Sequence, residues 1–78
     1  MSKLLTRSEA TDIFSTFAYA YKINFYSDFD IDSRRYVGLF EDSNKNNSIT
    51  LNVHQDGLTI DFVHNVLRSV RDAFMKEV

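Results

Sequence analysis

Asp28, Asp30 and Asp32, three aspartates at alternate positions, are the residues whose type and spacing come closest to chemistry. D-x-D-x-D opens the calcium loop of an EF-hand, where alternate carboxylates converge on one ion, but that loop also needs Gly at its sixth position and a bidentate Glu at its twelfth. Here those positions hold Ser33 and Leu39. Asp42, Asn44 and Asn46 repeat the opening spacing, followed by Ile49 at the eighth place, and fail the same two tests with Asn47 and Val53. His54 and His64 are the two histidines, and with no Cys in the chain a zinc site would have to borrow carboxylates from elsewhere. No serine or threonine sits in a G-x-S-x-G elbow, and the two glycines, Gly38 and Gly57, are too few for a phosphate-cradling loop. The expectation is a non-enzymatic protein without metal or cofactor.

Two basic groupings remain. Arg34-Arg35-Tyr36 joins guanidinium groups to a ring, and His64, Arg68 and Arg71 recur at helical spacing. Arg beside an aromatic holds a phosphate and stacks a base, which makes Arg34, Arg35, Tyr36, His64, Arg68 and Arg71 the candidate nucleic-acid-binding set. Nine basic against eleven acidic residues leave a net charge of −2, so the chain as a whole has no pull toward nucleic acid or anionic lipid. Any such binding has to come from a local patch.

The elements that position these side chains follow from periodicity. Over Thr59–Val78, Val63, Val66, Leu67, Val70, Ala73 and Phe74 recur at i, i+3, i+4, i+7, with Ile60 and Met75 nearby. Asp61, His64, Asn65, Arg68, Arg71, Asp72 and Lys76 take the opposite side of that amphipathic helix. Gly57 breaks the chain before it, Thr59 can cap it, and Asp61 and Lys76 suit its dipole. Thr6-Arg7-Ser8-Glu9 is a capping box and starts another helix, over Arg7 to about Tyr21. Ala10, Ile13, Phe14, Phe17, Ala18 and Tyr21 form its inward face, and Tyr19 stays near the surface.

Between the helices the period falls to two. Ile23–Ile31 reads as a strand of uncertain limits, with the three aspartates continuing its alternation on one side and Phe29 and Ile31 on the other. Arg34–Glu41 reads as a second strand, Val37 and Leu39 alternating with Tyr36, Gly38 and Phe40. Asp42–Asn47 is a dense run of turn formers. Ser48–His54 alternates strictly, Ile49, Leu51 and Val53 inward and Thr50, Asn52 and His54 outward. The expected fold is α+β: an N-terminal helix, a two- or three-stranded antiparallel meander and a C-terminal helix, both helices on one sheet face. With three strands this order resembles the topology of the double-stranded RNA-binding domain over most of the chain, which implies RNA binding. That family carries a basic cluster at the start of its second helix, where this chain has Thr59-Ile60-Asp61-Phe62, and a groove-contacting loop after its first strand, here the region of Asp28, Asp30 and Asp32.

Seventy-eight residues make one domain, 1–78, with a small core that seven Phe and four Tyr can fill efficiently. Met1–Leu5 is too short for a secretory signal and no run is long enough to span a bilayer, so the expected compartment is the cytoplasm. A chain without Pro and rich in Asn, Ser, Asp, Phe and Ile matches the usage of small phage or mobile-element proteins.

Two helices cover one face of a small sheet, so rings on the other face mark an interface. The expected working surface has Tyr36 and Phe40 supplying affinity, with Arg34, Arg35, Asp28, Asp30 and Asp32 tuning the encounter. Its occupant is either a protein partner, as for a phage accessory modulating a host factor, or a second copy in a homodimer. In a variant of the same reading the aspartate row imitates the phosphates of a nucleic acid.

Overall fold

The protein is described by a computed structural model over residues 3–42 and 47–75. Helix α1 spans Arg7–Tyr21, strands β1, β2 and β3 span Asn24–Asp30, Arg35–Glu41 and Ser48–His54, a single 3-10 turn covers Gln55–Gly57, and helix α2 spans Ile60–Met75. The sheet is an antiparallel meander in the order β1-β2-β3, so both outer strands are edges. The expected order of elements and the three-strand alternative are what the chain adopts. Ser43, Asn44, Lys45 and Asn46 of the turn-forming run, and Lys76, Glu77 and Val78 of the stretch expected to form the last helix, lie outside the described residues.

Both helix starts are built as their sequences dictate. The Glu9 amide donates to Thr6 Oγ1 (3.1 Å) while the Thr6 amide donates to Glu9 Oε1 (2.9 Å), closing the capping box. At α2 the Phe62 amide donates to Thr59 Oγ1 at 3.1 Å. The end of α1 is a left-handed Lys22 (φ 60°), whose turn lets the Ile23 amide reach the Ala18 carbonyl at 2.9 Å. Residues before α1 strap onto the entry of α2: the Leu5 amide donates to the Leu58 carbonyl and the Ile60 amide to the Lys3 carbonyl, each at 2.8 Å.

The core lies between the helices and one sheet face. Ala10, Phe14 and Ala18 from α1, Tyr36, Phe40 and Leu51 from the sheet, and Leu58, Val63 and Val70 from the second half are buried. Phe14 is its hub, with ring centroids 5.4 Å from Phe25, 5.6 Å from Phe40 and 6.3 Å from Tyr36. The Tyr36 hydroxyl is partnered by Thr11 Oγ1 at 2.7 Å, so the one polar tip carried into this cluster is satisfied.

Three expectations are corrected here. First, Tyr36 and Phe40 do not face outward: they are 2% and 0% exposed, and Val37 and Leu39 take the outer face of β2 instead. The cause is volume. The inward phase of β2 pairs Tyr36 with Phe29 and Phe40 with Phe25 across the strands, so four rings fill the space under Phe14, which Val and Leu would leave partly empty. Second, β1 stops at Asp30, and Ile31 is 78% exposed in a four-residue loop closed by the Asp30–Arg35 pair. Asp32 therefore belongs to a turn and not to a strand row. Third, Tyr21 is exposed at the end of α1, its ring set against Phe17 at 4.6 Å.

Candidate sheet-face interface

The face of the sheet away from the helices can be read row by row from the register: Asn24, Glu41 and Ser48; Tyr26, Leu39 and Thr50; Asp28, Val37 and Asn52; Asp30, Arg35 and His54. Its middle rows form an open depression of about 390 Å³ whose floor is Val37 and Leu39 and whose walls are Tyr26, Asp28, Thr50 and Asn52. Tyr26 is 55% exposed, the largest apolar surface on this side. Among the described residues no helix crosses this face, because α1 and α2 are spent on the other.

The polar groups around it are held locally. Arg35 Nε donates to Asn52 Oδ1, which lays the guanidinium across β2 and β3 beside Val37. Asp30 Oδ1 accepts the Asp32 amide at 3.0 Å and thereby forms the loop after β1, and Asp28 Oδ1 accepts the Phe29 amide at 2.8 Å. Arg34 supplies the left-handed residue that closes this loop (φ 57°), and its carbonyl accepts the Gln55 amide at 2.8 Å. His54 Nδ1 accepts the Asp56 amide at 3.1 Å and caps the 3-10 turn, with the Asp56 carboxylate 3.6 Å away. At the same end of β1, on its inner face, Arg7 of α1 sits 4.0 Å over the Phe29 ring and pins the edge strand to the helix layer.

Asp28, Asp30 and Arg35 thus share one face, Arg34 and Asp32 lie in the loop at its edge, and Tyr36 and Phe40 lie beneath it in the core. The other basic group is elsewhere. His64, Arg68 and Arg71 line a groove of about 280 Å³ between α2 and the end of α1, together with Phe17, Tyr21 and Leu67. Arg71 Nη2 is 3.6 Å from Asp72 Oδ1. The six residues of the nucleic-acid set are therefore not brought together: Arg34 and Arg35 are on the sheet side, Arg68 and Arg71 on the helix side, and Tyr36 between them. Among the described residues no three of His, Asp and Glu converge as metal ligands, and no helix is long and apolar enough to cross a membrane.

Val37, Leu39 and Glu41 escaped the sequence reading because β2 alternates two apolar sets, and periodicity alone gives no phase. The ring count would have decided it, since Phe25 and Phe29 across the sheet demand aromatic neighbours. No family model, no curated protein and no solved structure matches the chain.

Proposed function

We propose that this chain is a non-enzymatic protein-binding module that works through the uncovered face of its sheet, as an accessory of a phage or mobile element modulating a host factor. The observation that supports it is the apolar floor of Val37 and Leu39 beside exposed Tyr26 on a face that no element among the described residues covers. Contiguous apolar surface of this kind, ringed by polar groups, is characteristic of interaction sites. The Tyr26 ring and the branched side chains of Val37 and Leu39 supply affinity, while Asp28, Asp30 and Arg35 at the rim set encounter rate and orientation. Phosphate mimicry by the aspartates becomes a minor part of this reading, with Asp28 and Asp30 as its carriers.

A benzophenone amino acid at Thr50, inside the depression, tests the proposal against one at Ser15 on the exposed side of α1. Irradiation in the cells that encode the chain is expected to give protein adducts from position 50 and none from position 15. Equal yields, or no adduct from position 50, would overturn the proposal.

A second reading, single-stranded nucleic acid held in the helix-side groove, has the Phe17–Tyr21 ring pair beside Arg68 and Arg71 in its favour.

A further inference from the structure

The outer side of the central strand carries Arg35, Val37, Leu39 and Glu41 in that order, with a cation at one end, an anion at the other and two apolar residues between. Such a row is its own complement when reversed. We propose that the sheet face is first occupied by a second copy of this chain, stacked face to face about a two-fold axis that lies in the interface, perpendicular to the strands and between Val37 and Leu39. This inference rests on the reading of the sheet face as the working surface and names its occupant.

The axis is chosen by charge. Reversal about it sets Val37 on Leu39 of the second copy and Arg35 on Glu41 of the second copy, twice per dimer. On the edge strands it sets Tyr26 against Asp28 and Thr50 against Asn52, with no like charges directly opposed. A two-fold axis along the strands would stack Arg35 on Arg35 and Glu41 on Glu41 at the centre of the contact, where like charges are most costly. Face-to-face sheets about 10 Å apart are an ordinary packing, and the two-fold is the commonest closed symmetry. Three seven-residue strands offer a footprint of roughly 300 Å² per copy from strand rise and spacing. That is well under the ~800 Å² per partner of stable complexes, so the dimer is weak and concentration-dependent. A face that releases its own copy easily is also open to another partner.

Sedimentation equilibrium of the intact chain from roughly 20 µM to about 1 mM covers the affinity range of such small contacts. The wild type is expected to move from monomer toward dimer over that range. Arg35→Glu alone and Glu41→Arg alone each turn two attractions into two repulsions and should weaken the dimer at least about tenfold. An equimolar mixture of the two variants should associate again, because every Arg then meets a Glu, and the double swap in one chain should do the same. Weakening by each single swap together with restoration by the double swap in one chain establishes the antiparallel register, because a register that stacks Arg35 on Arg35 would leave the double swap as repulsive as wild type. A wild type that stays monomeric, or a dimer broken by Leu39→Asp yet indifferent to both charge swaps, overturns the inference. The benzophenone at Thr50 separates this failure from failure of the broader reading: purified chain irradiated at about 1 mM that gives no adduct at twice the chain mass sinks the self-association alone, whereas no protein adduct from position 50 in cells sinks the broader reading.

Discussion

Gly38 shows at the scale of one residue why the sheet has the phase it has. Its φ is not in the left-handed region, so the need for glycine is spatial. A Cβ there would stand 2.9 Å from Phe25 Cε1 and 3.2 Å from the Leu51 side chain. The Phe25 ring has little room to retreat, because Phe14 lies 5.4 Å from it and Phe40 4.7 Å, centroid to centroid. Gly38 is thus the gap in β2 that lets rings from β1 and α1 meet between Tyr36 and Phe40. Replacing a strand glycine by Ala ordinarily stabilises by about 0.4–1 kcal/mol through the unfolded chain. Overpacking a filled core costs about 1–3 kcal/mol and should win here. Gly38→Ala is expected to lower stability by about 1–2 kcal/mol in urea titration, and a variant as stable as wild type would show that the ring cluster yields.

At the scale of elements, what the sequence made legible is what local chemistry encodes. Thr6 and Glu9 announced the start of α1, the stripe from Ile60 to Phe74 announced α2, and the single alternating set of β3 gave its inward face as Ile49, Leu51 and Val53, as found. The misreadings fall where local signals tie or run out. β2 carries apolar residues in both phases, and only its partners across the sheet break the tie. The aspartates looked like a continuing strand because Asp30 and Asp32 keep the alternation, but Asp30 uses its carboxylate to fold the loop. The candidate site inherited both errors, so its charged rim was legible and its apolar floor was not. The cap of α1 also yields a prediction with a definite sign. The Thr6 amide, donating to the Glu9 carboxylate, holds that group below its ordinary value of 4.5; desolvation opposes it, and Lys3 and the Thr6 side chain add smaller help. A depressed carboxylate adds stability above its unfolded pKa and loses that contribution as pH falls through the folded value. Glu9→Gln keeps a capping acceptor and removes the charge. The variant should be less stable than wild type at neutral pH, with the gap closing as pH falls through the lowered Glu9 value; a gap that does not narrow on acidification would mean that the charge plays no part.

At the scale of the whole molecule the chain is a slab, 37 × 27 × 16 Å, whose two broad sides differ in charge and covering. Arg35 works on the sheet side within hydrogen-bonding reach of Asn52, while Arg68 and Arg71 line the helix-side groove and Arg71 already faces Asp72. A phosphate backbone lying in this groove therefore meets two arginines and a histidine among its lining residues, on a molecule whose net charge is −2. Counterion release translates that number into a measurement, because affinity for single strands falls with salt at a logarithmic slope of about −0.7 per neutralised phosphate. Retention of a poly-dT oligonucleotide is expected to show a slope of about −1.5 to −2, consistent with two or three contacts. Arg68→Glu with Arg71→Glu should remove it while leaving sheet-face self-association as in wild type. Should the slope reach about −4, or Arg35→Glu weaken oligonucleotide binding as much as the helix-side pair does, cations from both sides would be acting on one strand. Nucleic acid would then replace protein as the partner the chain is built to hold.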